Sequence, residues 1–134
     1  MNTTYWRNTV LDSVYQAASG NTFYIGLSST TPSDAGSNVT EPSGNAYARV
    51  QISGFSSASN SSIHNTANIV FPTSTGTWFP LNAPATHWVM FDGNGAGAHV
   101  LSAGTLEEPI SILKNTTVTI ASGKVVITLT DSQA

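Results

Sequence analysis

Short stretches of alternating apolar and polar residues, each closed by turn-forming residues, dominate the chain after Gly20. In the first stretch Phe23, Ile25 and Leu27 fall on one face, because side chains in a strand alternate between faces. Several short strands separated by Gly, Pro, Asn and Ser clusters are typical of an antiparallel sandwich or jelly roll. We therefore predict an all-β, antiparallel, β-sandwich or jelly-roll-like fold, with strands at residues 22–28, 46–52, 63–71, 87–91, 98–103, 116–121 and 124–130.

One segment near the N-terminus follows a helical period instead. Trp6, Val10 and Val14 recur every four residues with Leu11 beside them, which predicts a short α-helix over residues 4–17. A helix of about 14 residues is marginal alone in water, so its apolar stripe needs a partner surface. That surface is either the chain's own β domain or a neighbouring subunit. The four stripe residues are therefore interface candidates.

Composition narrows the class of protein. The 134 residues are 8% charged, and four Lys and Arg against seven Asp and Glu leave a net charge of −3. So few cations do not suit duplex nucleic-acid binding, and no run of about 20 apolar residues could span a bilayer. Zero cysteines exclude disulfides and thiolate sites. We predict an N-terminal amphipathic helix at 1–20 and a single β-sandwich domain at 21–134, with no nucleic-acid or membrane partner and no secretory signal.

The residues that could carry chemistry are scattered. No G-x-S-x-G motif occurs, and the three histidines at 64, 87 and 99 lack metal-site spacing. Glu107 and Glu108 are adjacent, so in a regular strand they would face opposite ways and could not act as a glycosidase pair. A hydrolase would need two of Asp34, Glu41, Asp92 and Glu108 in one cleft. We predict no enzyme activity, no catalytic residues, no metal and no cofactor.

Aromatic residues offer a different kind of site. Trp78 and Phe79 follow a turn, and Trp88 lies in a predicted strand. Exposed rings of this type stack on sugars or anchor interfaces, whereas in a small sandwich such rings usually fill the core. We therefore keep both readings for these three residues, as possible ligand contacts and as core. The long polar loops at 29–45 and 55–62 are of the length that is either functional or mobile.

Three motifs in order along the chain resemble a known family. They are Thr22-Phe23-Tyr24-Ile25-Gly26-Leu27-Ser28-Ser29-Thr30-Thr31-Pro32, Glu41-Pro42-Ser43-Gly44 and Tyr47-Ala48-Arg49. With Ile69-Val70-Phe71-Pro72, Trp78, Gly104-Thr105-Leu106 and Gly123–Leu129, they resemble the pattern "YVGLST…EPSG-x-GYAR" of small tailed-bacteriophage virion proteins of the tail fibre or head decoration type. The chain departs from that pattern at Ala46 and Phe79, where glycine is common.

The resemblance implies a non-enzymatic structural protein, made in the host bacterial cytoplasm and displayed on the virion as a capsid decoration or tail fibre component. It also implies contacts with other capsid or tail proteins. We expect a homo-oligomer, with a trimer favoured by analogy with other virion sandwiches. The alternative is a tail-tip module that binds a receptor or glycan on the host surface.

One ion pair can be predicted from the same motifs. Arg49 is one of only four cations, and Glu41 is the nearest carboxylate in sequence. We predict that they pair and brace the long loop at 29–45 against a strand. An exposed pair of this kind contributes only about 0–1 kcal/mol.

Overall fold

The computed structural model describes residues 2–130 and consists mainly of antiparallel strands. Its elements, in chain order, are α1 (Thr4–Tyr15), a 3-10 turn (Ala17–Ser19), β1 (Tyr24–Ser28), β2 (Val50–Gln51), β3 (Ser62–His64), β4 (Ile69–Val70), β5 (Ala85–Phe91), β6 (Val100–Ile110), β7 (Thr119–Ile120) and β8 (Val126–Thr128). The predicted all-β fold with one short N-terminal helix is confirmed. Within the described residues, no helix is long and apolar enough to cross a membrane.

A four-stranded sheet in the order β2-β1-β5-β6 forms the centre of the structure. Strands β1 and β5 pair from Tyr24 opposite Phe91 to Ser28 opposite His87. Two smaller sheets, β3 with β8 and β4 with β7, complete the strand pairing. Every named pair is antiparallel, as expected for short strands joined by tight turns.

The two faces of the central sheet are covered by different parts of the chain. The pattern of alternation places Ile25 and Leu27 on one face, where they belong to the main hydrophobic core together with Phe71 and Ile112. The opposite face carries Gly26, which lies under side chains of the segment 41–47. Both faces are therefore buried, one by the core and one by a long loop, and the layering is consistent with the predicted sandwich.

The predicted strand at 63–71 is divided into β3 and β4. The reason is Asn65, whose fully buried side chain donates to the carbonyls of Ala67 at 2.9 Å and Ala121 at 3.2 Å, and accepts from the Val125 amide at 2.9 Å. A buried amide must satisfy its hydrogen bonds, and here it does so by holding two turns together. Strand β6 also extends well beyond the predicted 98–103, to Ile110.

Helix α1 packs against the chain's own loop at 55–61. Leu11 is 1% exposed, and the side chains of Asn8 and Asp12 accept hydrogen bonds at 2.8 Å from the amides of Ser61 and Ala58. Thr3 caps the helix by accepting from the Trp6 amide. The predicted division of the chain into a helix at 1–20 and a β-sandwich domain at 21–134 stays a prediction. Met1 and residues 131–134 belong to these two ranges but lie outside the described residues.

Candidate functional site

The family motif at 41–49 folds into a hydrogen-bonded cluster, which we call the brace and define as Glu41, Tyr47 and Arg49. The Arg49 guanidinium donates to both carboxylate oxygens of Glu41, at 2.8 Å and 3.1 Å. The Tyr47 hydroxyl donates to the same carboxylate at 2.6 Å and accepts from the Leu27 amide at 3.0 Å. A bidentate pair of this geometry is the stronger, orientation-specific form of the ion pair.

The brace is attached to the central sheet through Gly26. A Cβ atom at this position would lie 2.6 Å from a Glu41 carboxylate oxygen and 2.7 Å from the Tyr47 hydroxyl. Only glycine therefore leaves room for the two side chains against β1. A glycine inside a strand often marks such a close approach, so Gly26 could have been identified from sequence.

Arg49 connects the brace to a second loop. It lies 3.5 Å from the centre of the Phe91 ring and donates to the carbonyls of Gly93 at 3.3 Å and Gly95 at 3.0 Å. Phe91 is the last residue of β5, and the two glycines belong to the turn that follows. A guanidinium can stack its face on an aromatic ring and, at the same time, donate hydrogen bonds within the plane of its own nitrogen atoms. One side chain therefore holds the 29–45 loop, β5 and the 92–98 turn together.

The predicted ion pair is present but is not the exposed pair expected from sequence. The side chains of Arg49 and Glu41 are 14% and 16% exposed, so water screens them weakly. Burial, followed by the hydrogen bond to Glu41, raises the pKa of Tyr47 far above its ordinary value. Tyr47 therefore stays protonated and donates to the carboxylate throughout the physiological range.

A second set of contacts extends the brace to the turn before Trp78. The Trp78 indole donates to the Asn45 carbonyl at 2.7 Å, and its ring meets the Tyr47 ring edge-on with centroids 5.2 Å apart. A Cβ at Gly76 would lie 2.6 Å from the Asn45 side chain. The separate motifs of the sequence thus contact one another, and their residues serve to position loops.

The three aromatic residues considered as ligand contacts lie in the core. Trp78, Phe79 and Trp88 are 5%, 3% and 5% exposed. Trp88 packs closely over Gly104 on the adjacent strand, where a Cβ would come within 2.4 Å of its ring. Little of their surface is exposed, which favours the interpretation that they fill the core, and their role as ligand contacts stays a prediction.

The helix stripe is divided between the core and the surface. Leu11 is buried in the chain's own core and is unavailable to a neighbour, which corrects its assignment as an interface residue. Val10 is half-buried, Val14 is 38% exposed, and Trp6 is 54% exposed. Tyr5, which the periodicity did not single out, is 78% exposed beside Trp6. The helix therefore docks on its own domain and still presents aromatic surface.

The acidic residues make different contacts. Glu41 belongs to the brace, and Asp34 lies exposed in the 29–45 loop. Asp92 accepts a hydrogen bond from the backbone amide of His99 at 2.7 Å, and its contacts with His99 lower the pKa of Asp92. Among residues 2–130, no three His, Asp or Glu side chains converge as a metal site requires.

A groove of about 360 Å³ separates the C-terminal half of β6 from β7. Glu107 and Glu108 both contribute to its lining. The pairing of β6 with β5 is irregular beside this groove, where the register moves from His87 opposite Thr105 to Ala85 opposite Ile110. Glu107 pairs with Lys124 at 2.5 Å across the groove, and this contact lowers the pKa of Glu107. Other lining residues include Trp88, Leu106, Val118, Thr119, Ile120 and Ala121.

Comparison with known proteins gives one family. The model of the family described as podophage GP4 fiber I protein gp80 matches residues 1–128, which is nearly the whole chain. A search of curated proteins finds no match.

Proposed function

The chain belongs to the podophage GP4 fiber I protein gp80 family, and we propose that it is a structural subunit of a virion fibre that catalyses no reaction. Membership confirms the resemblance to tailed-bacteriophage virion proteins and supports a virion-associated location. The finer assignment, to a fibre of the tail and not to a decoration of the capsid, is the proposal.

One observation carries the proposal: the most family-specific residues are occupied by one another. Both oxygens of the Glu41 carboxylate accept from Arg49, one of them also accepts from Tyr47, and the whole cluster lies against β1. A catalytic carboxylate must reach a substrate, whereas this one is held by two internal donors and is 16% exposed. The motif therefore serves to fix three loops on a sheet, which is a structural role.

The low charge of the chain suits close packing of identical subunits. Like-charge repulsion between copies grows with net charge, and here the net charge is −3 over 134 residues. Helix α1 supplies an outward aromatic surface through Tyr5 and Trp6. We propose that the chain forms a homo-oligomer and that it attaches to other virion proteins within the fibre.

The proposal is tested by labelling purified virions with gold-conjugated antibody against this chain. We expect gold along the fibres in electron micrographs, and label confined to the capsid shell or missing from particles would contradict it. The receptor-binding alternative is tested in parallel by incubating the purified fluorescent chain with host cells and a glycan array. We expect no saturable binding in either assay, and saturable binding would favour the alternative.

A further inference from the structure

Two features of the surface stand apart from the brace, an exposed aromatic pair and a groove. The first is an aromatic knob at the start of α1, defined as Tyr5 and Trp6 together with Arg7. Tyr5 is 78% and Trp6 is 54% exposed, so both rings present surface to the solvent. Adjacent exposed Tyr and Trp are the residue types that anchor protein interfaces.

The second feature is the groove between β6 and β7, already described, which we call the β6–β7 groove. Its lining combines apolar side chains such as Leu106 and Ile120 with the carboxylate of Glu108 on one wall. A cavity of about 360 Å³ is in the range that takes large side chains. Tyr and Trp together can bury roughly 300–500 Å² in such a site, about half of what each partner contributes to a standard interface.

The charges of the two features are complementary. Arg7 donates to the Ser61 hydroxyl at 2.8 Å, the Thr4 hydroxyl at 3.2 Å and the Asn2 carbonyl, all of which are neutral. Within the described part of the chain it has no carboxylate partner, and Glu108 has no cationic one. Among residues 2–130, Arg7 on the knob and Glu108 on the groove wall are therefore charges of opposite sign that have no ionic partner.

We infer that the knob of one copy occupies the β6–β7 groove of a second copy, with Arg7 facing Glu108. This inference deepens the proposed function and rests on it, since a fibre subunit must assemble. Because the knob and the groove are different surfaces, the contact is head-to-tail and either closes into a ring or continues as a filament. A three-membered ring would give the trimer expected by analogy.

Sedimentation velocity over a range of concentrations of the purified chain tests the contact. We expect concentration-dependent association of the unmodified chain and a dissociation constant raised at least about tenfold in Trp6→Ser. The matched control is Leu81→Ser, which removes another exposed apolar side chain, 80% exposed, and should leave association unchanged. A chain that stays monomeric, or a Trp6→Ser variant that associates like the unmodified chain, would overturn the inference.

Charge reversal provides a second test that does not depend on the aromatic rings. Arg7→Glu and Glu108→Arg should each weaken association, and the double variant should recover it, with thermal melts reporting that each variant is folded. Lys114→Glu, an exposed site with the same charge change as Arg7→Glu, is the control and should have no effect. Absence of recovery in the folded double variant would contradict the pairing. Failure here leaves the fibre assignment standing, because gold labelling of virions tests that assignment separately.

Discussion

Replacing Arg49 by Met is expected to destabilise the fold strongly. Methionine retains much of the packing on Phe91 but removes the donors to Glu41 and to the two glycine carbonyls at 93 and 95. The Glu41 carboxylate, 16% exposed, would keep only the hydroxyl of Tyr47. Leaving a buried charge without its partner costs about 3–5 kcal/mol, and the residual exposure here argues for about 3 kcal/mol.

This loss of unfolding free energy can be measured as a fall in the melting temperature. For a chain of this length, about 3 kcal/mol corresponds to a fall of about 10 °C in Tm. Thermal unfolding followed by circular dichroism measures it, with the exposed Lys114→Met as the control that removes one cation from the surface. The control should move Tm by no more than about 2 °C. If Arg49→Met melts as close to the unmodified chain as the control does, the pairing of Arg49 with Glu41 does not stabilise the fold.

A double-mutant cycle separates the pair from its surroundings. Glu41→Gln alone leaves Arg49 without its carboxylate, and Arg49→Met alone leaves Glu41 without its cation. The double variant removes both charges, so it should lose clearly less stability than the two single losses added together. Additive losses would mean that the two side chains act independently, which the bidentate geometry contradicts.

Two further predictions concern the brace and the pairing of Asp92 with His99 at the turn after β5. Gly26→Ala should lower Tm by several degrees, because the added Cβ would lie 2.6 Å from a Glu41 carboxylate oxygen. Gly97→Ala is the control and should leave Tm unchanged, because no heavy atom lies within 4 Å of its added Cβ. Equal melting of the two variants would contradict the role of Gly26. The pKa of Asp92 is lowered by its hydrogen bonds to His99, so the stability they contribute is present above the ordinary pKa of 3.8 and is lost as pH falls below it. Melts at pH 6 and at pH 2 should show that Asp92→Asn is less stable than the unmodified chain at pH 6 and that the difference is smaller at pH 2. A difference of the same size at both pH values would contradict the contribution of the Asp92 carboxylate.

Local patterns in the sequence predict the elements that depend on near neighbours. The alternation of Ile25 and Leu27 identifies β1, and the four-residue spacing of Trp6, Val10 and Val14 identifies α1, because each pattern follows from the geometry of its own backbone. The same spacing does not tell which stripe residues face the core. That depends on where the 55–61 loop lies, and it assigns Leu11 to the core and leaves Trp6 exposed.

Long-range contacts explain what the sequence did not predict. The pairing of Glu41 with Arg49 could be predicted from the scarcity of cations, but its burial follows from Gly26 and Phe91, which lie in other strands. The division of the strand at 63–71 likewise depends on the bonds of Asn65 to the distant residues 121 and 125. The spacing of apolar residues and the amino-acid composition do not predict such contacts.

A cryo-electron microscopy reconstruction of the virion fibre would show whether this chain is a fibre subunit. We expect fibre density that accommodates the four-stranded sheet of this chain, with Tyr5 and Trp6 of one copy at a contact between subunits. Fibre density that is fully explained by other proteins, with no position for this chain, would contradict it.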